Sequence, residues 1–223
     1  MAADDSTGRE SDAAEARLVV QRDPGRTRAS ILAAATREFA ENGFGGARVD
    51  AIAARAGSNK RMLYHYFGDK EALYLVVLEE AYAGIRGAEA TLDLGHRAPE
   101  EGVRELTVFT WRYFVEHPEF ISLLNTENLM RARFLRGSTR IRAMQTTLVS
   151  ELTSILGRGV AAGLFRPGLD PLHVYLTMAS LSVFYLSNRH TLGLIFDRTL
   201  DAPDQLAAWE AHVVQTVLAS VRR

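Results

Sequence analysis

Apolar residues recur at helical spacing along almost the whole chain, and this pattern constrains the possible folds more than any other feature. In the first such segment Ile31, Ala35 and Phe39 lie on one helical stripe, as Leu206, Trp209 and Val213 do near the other end. No segment alternates apolar and polar residues between the turn pairs of a β-hairpin. We therefore predict an all-α fold.

Glycine and proline mark where these helices begin and end. Asp170-Pro171 is a strong start signal, with Asp at the cap and Pro at the first helical position. Thr27 is expected to cap the first helix and Gly43 to end it. The predicted helices cover approximately residues 27–42, 48–56, 60–67, 70 onwards, 99–117, 119 onwards, 138–162, 171 onwards and 204–221.

Composition removes several classes of protein. The chain of 223 residues has no cysteine, which excludes disulfides, iron–sulfur clusters and cysteine nucleophiles. Its first residues are acidic and lack the apolar run of a secretory signal, so we expect a cytoplasmic protein. The longest segment without a charged residue, 171–188, contains His173, three serines and Asn188, and is better explained as a buried helix than as a membrane span.

The charge is unevenly distributed. The formal net charge is only −1, but residues 17–70 contain ten basic and five acidic residues, whereas residues 1–16 contain one basic and five acidic residues. A basic block beside a nearly neutral body is typical of a surface that binds a phosphate backbone. By charge alone, a solvated helix face explains the block equally well.

Two short predicted helices inside the basic block fit a helix-turn-helix. They are joined at Ala56-Gly57-Ser58-Asn59, and the second begins with Lys60 and Arg61. Such a unit places the N-terminal residues of its second helix at base edges in the major groove of DNA. Tyr64, His65 and Lys70 follow at spacings that can reach phosphates, and Arg48 precedes a helix N-terminus that attracts a phosphate.

The segment from Thr27 to Leu73 resembles the DNA-binding domain of the TetR family of transcriptional regulators. The resemblance rests on the stretches ILAAATREFAENGF, VDAIAARAG and LYHYFGDKEALY. It implies a homodimer on a palindromic double-stranded DNA operator, with a small-molecule site in the larger domain and repression relieved by the ligand. The implied organisation is a disordered acidic tail at 1–24, a helix-turn-helix domain at 25–70 and a helical ligand-binding and dimerisation domain at 71–223.

The turn departs from the common family string Ala-Gly-Val-Ser-Lys-Gly-Thr-Leu-Tyr. Ser58, Asn59, Arg61 and Met62 replace Val, Ser, Gly and Thr, so the operator of a relative cannot be transferred to this chain. Arg61 favours guanine, whereas Met62 either meets a thymine methyl group or packs beneath the helix. The predicted DNA-binding residues are Thr27, Arg48, Ser58, Asn59, Lys60, Arg61, Met62, Tyr64, His65 and Lys70.

Aromatic residues are numerous in the middle helices, and two interpretations are open. They form core and dimer interface, or they line a ligand pocket bounded by the helices at 99–117, 119–131 and 138–162. For the pocket we predict the walls Trp111, Phe114, Met144 and Tyr175. Because no basic cluster occurs in this region, the expected effector is mostly apolar or aromatic rather than a highly charged anion.

The last two long helices are the predicted dimer interface. One carries Leu172, Leu176, Val183 and Phe184, and the other carries Trp209, Val213 and Val217. Stripes of this kind on two helices can form a four-helix seam around a two-fold axis.

No other chemistry has a positive signal. The histidines show no close pair at metal-ligand spacing, and we predict neither a metal nor a cofactor. Gly157, Gly159 and Gly163 lack the strand and the Lys-Ser/Thr pair of a phosphate loop, so close helix contacts and a C-cap explain them better. The alternatives to a ligand-responsive regulator are a DNA-organising protein without a ligand and a helical enzyme. An enclosed cavity among the middle helices favours the regulator over the first, and a pocket with hydrogen-bonded titratable groups would favour the second.

Overall fold

The computed structural model describes residues 23–223, except for the side chains of residues 145–147. The predicted acidic tail lies outside the described residues, apart from its last two positions. Helices dominate the described part, where the only β pairing is an isolated bridge between Phe165 and Arg222. The helices are α1 Pro24–Gly46, α2 Val49–Arg55, α3 Lys60–Phe67, α4 Lys70–Glu89, α5 Pro99–Glu116, α6 Pro118–Leu129, α7 Thr139–Ala161, α8 Pro171–Phe196 and α9 Pro203–Val221, with a 3₁₀ turn at Leu135–Gly137 between α6 and α7.

Side-chain caps set the beginnings of several helices. The Asp170 carboxylate accepts a hydrogen bond from the Leu172 amide at 2.8 Å, as the Asp-Pro signal predicts. The predicted cap at Thr27 is wrong, because α1 begins three residues earlier at Pro24 and Asp23 caps it. Proline at the first helical position is compatible with the helix, and an aspartate before it supplies the acceptor that Thr27 was expected to supply.

The first three helices share one core with α4. Its members include Ile31, Phe39, Ile52, Leu63 and Tyr74, all fully shielded from solvent. The same cluster continues into Leu123 of α6 and Ile141 of α7. The N-terminal helices therefore rest directly on the larger helical body, and the domain boundary at residue 70 stays a prediction.

Helix α5 lies at the centre of that body, as its apolar residues on nearly all sides predict. It packs against α4, α6, α7, α8 and α9. Val103 and Leu106 are fully buried among residues of α7, α8 and α9. Among the described residues, no helix combines the length and hydropathy that crossing a bilayer requires.

The expected dimer stripe on α9 is wrong in two positions. Val213 and Val217 are fully buried within this single chain, in the cluster around Val103 and Leu152. They already have partners inside the protomer because α5 packs against their face of α9. The α8 stripe is different, since Leu172, Leu176 and Phe184 are 48%, 50% and 61% exposed.

Candidate DNA-contacting face and ligand cavity

The turn between α2 and α3 is built by local backbone and side-chain hydrogen bonds. Gly57 has φ of 59°, a left-handed conformation that glycine adopts without strain. The Ser58 amide donates to the Ala53 carbonyl at 2.9 Å, and the Asn59 side chain accepts from the Met62 amide at 2.9 Å. Asn59 therefore caps α3, a role that asparagine fills as well as serine does.

Helix α1 forms hydrogen bonds with this turn and with α2. The Ser30 hydroxyl donates to the Ala56 carbonyl at 3.0 Å. Arg55 of α2 forms a two-fold hydrogen-bonded pair with Glu41, at 2.9 and 2.8 Å, and lies 3.7 Å from the buried Glu38. Glu38 also accepts the Arg48 amide at 3.1 Å, just before α2 begins. These contacts fix α2 and α3 relative to α1.

Five of the ten predicted DNA-contacting residues form a group of exposed side chains on α3 and just before α2. Lys60, Arg61, Tyr64 and His65 of α3 are exposed, and so is Arg48 at the start of α2. Met62 is partly buried and packs against the core cluster of the N-terminal helices, which favours its packing interpretation over a thymine contact. We call the surface of Arg48, Lys60, Arg61, Tyr64 and His65 the α3 face.

Three other residues predicted to contact DNA are only partly exposed: Thr27, Ser58 and Lys70. The Ser58 hydroxyl is buried and has no hydrogen-bond partner among the described residues. The Thr27 hydroxyl donates to the Asp23 carbonyl at 3.3 Å in the first turns of α1. Lys70 is partly buried, with its Nζ atom 4.7 Å from the centre of the Phe44 ring. This cation–π contact holds Lys70 beside the helix-turn-helix.

Lys60 is engaged by a carboxylate of the same unit. Its Nζ atom lies 2.6 Å from Asp50 Oδ1, and the hydrogen bond to Asp50 raises the pKa of Lys60. Arg61 makes no ion pair within the part of the chain that the structure describes. Before any contact with DNA, Lys60 is therefore paired with a carboxylate, whereas Arg61 has no ion-pair partner among the described residues.

Arg28 is not among the predicted DNA-contacting residues, although it lies beside α3. This exposed residue lies on α1, and its guanidinium is 5.0 Å from the centre of the Phe67 ring at the end of α3. The signal was present, because Arg26 and Arg28 flank Thr27 in a helix that packs on α3. The expected cap at Thr27 leaves Arg26 outside the helix and Arg28 at its first position, whereas both lie inside α1.

A cavity of about 330 Å³ lies between α4 and α7. The described residues that line it are Ala83, Arg86, Gly87, Glu89, Ala90, Met144, Leu148 and Glu151. Met144 was predicted as a wall. Tyr175 is not among these residues but contacts one of them, since Arg86 Nη2 donates to its hydroxyl at 3.2 Å.

The lining of this cavity differs from the predicted pocket walls. Its lining comes from α4 and α7, whereas the sequence placed it among the helices now called α5, α6 and α7. Trp111 and Phe114 are buried elsewhere, in a cluster with Phe120 and Tyr185. The Trp111 and Tyr185 rings meet edge to face with centroids 5.6 Å apart, and the Phe114 and Phe120 rings stack at 5.7 Å. These two aromatic residues are core.

One ion pair lies in the wall of the cavity. Arg86 Nη1 contacts Glu89 Oε2, and the side chains of these residues are only 9% and 4% exposed. Burial raises the pKa of Glu89 to about 7; the Arg86 charge opposes this shift and the nearby Glu151 adds to it. The cavity therefore combines an apolar lining with this ion pair and the carboxylate of Glu151.

A metal centre is not among the features of the described residues, where no group of three or more His, Asp or Glu side chains has suitable geometry.

Comparison with protein families decides the identity of the fold. Residues 31–77 match the model described as bacterial regulatory proteins, tetR family, and residues 99–217 match the model described as tetracyclin repressor-like, C-terminal domain. The second match alone covers more than half of the chain. The chain belongs to the TetR family. Regulators of this family bind DNA operators as dimers and respond to small-molecule effectors.

Two relatives of this chain are described as HTH-type transcriptional repressors. The chain is 43% identical over 198 residues to the HTH-type transcriptional repressor NicS of Pseudomonas putida, which covers 89% of this chain and 93% of that protein. It is 37% identical over 110 residues to the transcriptional repressor SCO4008 of Streptomyces coelicolor, covering 48% and 53% of the two chains. These similarities identify a transcriptional regulator rather than an enzyme.

Solved structures of the TetR family share the fold. The ketosteroid transcriptional regulator KstR2 of Mycobacterium tuberculosis superposes with a TM-score of 0.66 at 21% identity, covering 88% of this chain and 95% of that one. The regulator PfmR of Thermus thermophilus gives a TM-score of 0.65 at 24% identity, covering 86% and 99%.

Proposed function

We propose that this protein represses transcription by binding a two-fold symmetric operator through the α3 face of a homodimer. A small, mostly apolar molecule in the cavity between α4 and α7 then releases it. The observation that carries the proposal is that α4 belongs to both sites. Its C-terminal half lines the cavity, and its N-terminal cap Asp69 follows α3 with only Gly68 between them.

Helix α4 can act as a rod between the two sites. Its 20 residues span about 30 Å at the usual rise of an α-helix. Gly68, with φ of 82°, forms the joint to α3, and the Asp69 carboxylate caps α4 by accepting the Ala72 amide at 2.7 Å. A tilt of α4 therefore moves α3, and with it the separation of the two recognition helices in a dimer.

Polar contacts join α4 to the segment that enters α7. The Ser138 hydroxyl donates to Glu79 at 2.7 Å, and Arg140 donates to Glu80 at 2.7 Å. These contacts support coupling between the cavity and the α3 face, because a ligand that moves α4 away from α7 also strains these hydrogen bonds. A hundredfold preference of the ligand for the DNA-incompetent state corresponds to about 2.7 kcal/mol of coupling.

The operator should contain two half-sites. One recognition helix reads only a few base pairs, and a two-fold dimer places two such helices about 34–36 Å apart, or a multiple of that distance. Apolar side chains of α8 are the proposed seam, because Leu172, Leu176 and Phe184 remain exposed in the single chain. A groove beside them is lined by Leu176, Thr177, Ala179, Ser180 and Val183.

The lining of the cavity supports a mostly apolar effector. Ala83, Met144 and Leu148 contribute apolar surface, and the one arginine among the described lining residues is paired with Glu89. A cavity of about 330 Å³ is at the small end of the usual range for ligand sites, about 300–1,000 Å³.

Genomic footprinting followed by release assays tests the proposal. The footprint should show two symmetric half-sites, and compounds suggested by the neighbouring genes should abolish it. An Ala83→Leu variant should still bind the operator but resist release, because the larger side chain fills the cavity. Ala88→Leu adds the same volume to α4 outside the described lining and should respond like the wild type. If the compound releases Ala83→Leu as readily as the wild type, the cavity is not the effector site.

A further inference from the structure

The ion pair in the cavity wall leaves two hydrogen-bonding atoms unused. Arg86 uses Nη1 for Glu89 and Nη2 for the Tyr175 hydroxyl. Its Nε–H has no partner among the described residues, and neither has Glu89 Oε1. Buried polar groups are nearly always paired, and an unpaired one destabilises the folded protein. One residue thus offers a donor and the other an acceptor, side by side on the last turns of α4.

We infer that the cavity binds a neutral molecule with a hydrogen-bond acceptor next to an N–H donor, the edge of an amide or lactam. Its carbonyl oxygen accepts from the Arg86 guanidinium and its N–H donates to the Glu89 carboxylate. The inference rests on the proposed function, in which this cavity is the effector site. Neither atom is open to water, so binding requires the Arg86 guanidinium and the Glu89 carboxylate to turn toward the ligand.

The cost of desolvation favours a neutral ligand over an ion in this cavity. A ligand carboxylate would reach Arg86 but would be repelled by Glu89 and Glu151, and a ligand ammonium group would reach the two carboxylates but would be repelled by Arg86. Either ion would also lose its hydration in a mostly apolar site, a cost that a neutral edge largely avoids. The pKa of about 7 for Glu89 agrees, since this environment tolerates a neutral group where a carboxylate stands.

The rest of the lining indicates the body of the ligand. Ala83 and Leu148 present small and branched apolar groups, and Met144 is an adaptable side chain that contacts aromatic rings favourably. An aromatic or alicyclic ring that carries the amide edge satisfies both parts of the site. This is a narrower class than the mostly apolar effector of the proposed function.

Four single-ring probes test the inference by titration calorimetry on the full chain at pH 7.5. Benzamide carries the complete edge, acetophenone only the acceptor, benzoate a negative charge and benzylamine a positive charge. Benzamide should bind with a Kd about tenfold or more below those of the other three, because a site built to hydrogen-bond a group rejects analogues that lack it.

Two variants separate recognition from mere packing. Arg86→Met keeps most of the side-chain volume and should weaken the binding of benzamide and of acetophenone alike, because both present the carbonyl oxygen that Arg86 binds. Glu89→Gln leaves Arg86 without its counter-ion and should raise the affinity for benzoate about tenfold, an effect that a purely structural role of Glu89 does not produce. Ala88→Leu, outside the described lining, should leave all four affinities unchanged.

The outcomes against the inference are distinct. Benzoate as the tightest probe, equal affinities for benzamide and acetophenone, or no binding of benzamide at millimolar concentration each overturn it. Operator footprinting on the same preparations shows what else has failed. If a compound without an amide edge releases the operator, only this inference is wrong; if no operator is bound, the proposed function is wrong.

Discussion

Lys60 Nζ lies 2.6 Å from Asp50 Oδ1, so one cation at the start of α3 is already paired across the helix-turn-helix. Both side chains are more than half exposed, and an exposed ion pair in water contributes little to stability. A DNA phosphate can therefore replace Asp50 as the partner of Lys60. Asp50 then weakens binding twice, because it competes for Lys60 and repels the phosphate backbone.

Asp50→Asn should tighten binding to all DNA sequences at low salt and increase the salt slope by about one phosphate contact. Fluorescence anisotropy on operator and random duplexes across a salt series measures both effects. Glu71→Gln removes the same charge from an exposed position on α4, where it pairs with Arg133 at 2.8 Å, and serves as the matched control. An Asp50→Asn variant that binds no more tightly than Glu71→Gln would show that Lys60 does not face a phosphate.

Arg61 is exposed beside Lys60 and makes no ion pair with a described residue, so it should read a base. Arg61→Ala should cost about 1–3 kcal/mol on the operator and relax specificity at one position of each half-site. Binding to random DNA should fall much less. Competition binding against a library of operator variants measures this, and equal losses on operator and random DNA would reduce Arg61 to a phosphate contact.

The sequence predicts what is local in this fold and misses what depends on packing between helices. Asp170-Pro171 and the span of α3 were predicted correctly, because a cap and a tight turn depend on neighbouring residues. A tryptophan at position 111 looks the same in the sequence whether it lines a pocket or lies in the core. Its contact with Tyr185 places it in the core, and that residue is 74 positions further along the chain.

The same limit explains the errors on α9 and at the cavity. An apolar stripe does not say whether α5 or a second protomer covers it, and at Val213 the cover is α5. The cavity depends on small residues of α4, such as Ala83 and Gly87, facing α7. The sequence does not show whether such small residues leave a cavity or let two helices pack closely.

Leu176→Glu should dissociate the homodimer, because Leu176 is half exposed on the proposed α8 seam and a charge buried there would lack a partner. Light scattering at micromolar concentration should give the monomer mass, with the helical content unchanged. Leu129→Glu makes the same change at an 86% exposed leucine on α6 and should remain dimeric. Dimers of the wild-type mass for Leu176→Glu would place the interface elsewhere.

Gly159→Ala should destabilise the body of the protein, because a Cβ at this position would lie 2.0 Å from the ring of the buried Phe165. Overpacking of this kind costs about 1–3 kcal/mol. Gly157→Ala is the matched change two residues away on α7, where a Cβ meets nothing within 4 Å, and it should be neutral or slightly stabilising. Urea unfolding of both variants tests the contrast, which would be contradicted by equal midpoints.

Glu89 should make the free energy of unfolding fall as the pH rises toward neutrality. Its pKa is about 7 in the folded protein against 4.5 for the free side chain, so the folded state retains a proton that the unfolded state has lost. The stability from this group is complete below about pH 4.5 and is lost as the pH rises through 7. The full effect is roughly 3 kcal/mol.

Comparison with Glu89→Gln isolates this effect. The glutamine cannot ionise, so the variant should gain stability relative to the wild type by about 2–3 kcal/mol between pH 5 and pH 8, measured by urea unfolding. Glu100 provides a control of opposite sign, because its hydrogen bond with Arg222 lowers its pKa. Glu100→Gln should change the pH profile only on the acid side, where the wild type loses the contribution of Glu100 as the pH falls below about 4.5. A constant difference between wild type and Glu89→Gln from pH 5 to pH 8 would mean that the Arg86 charge outweighs burial and keeps Glu89 ionised.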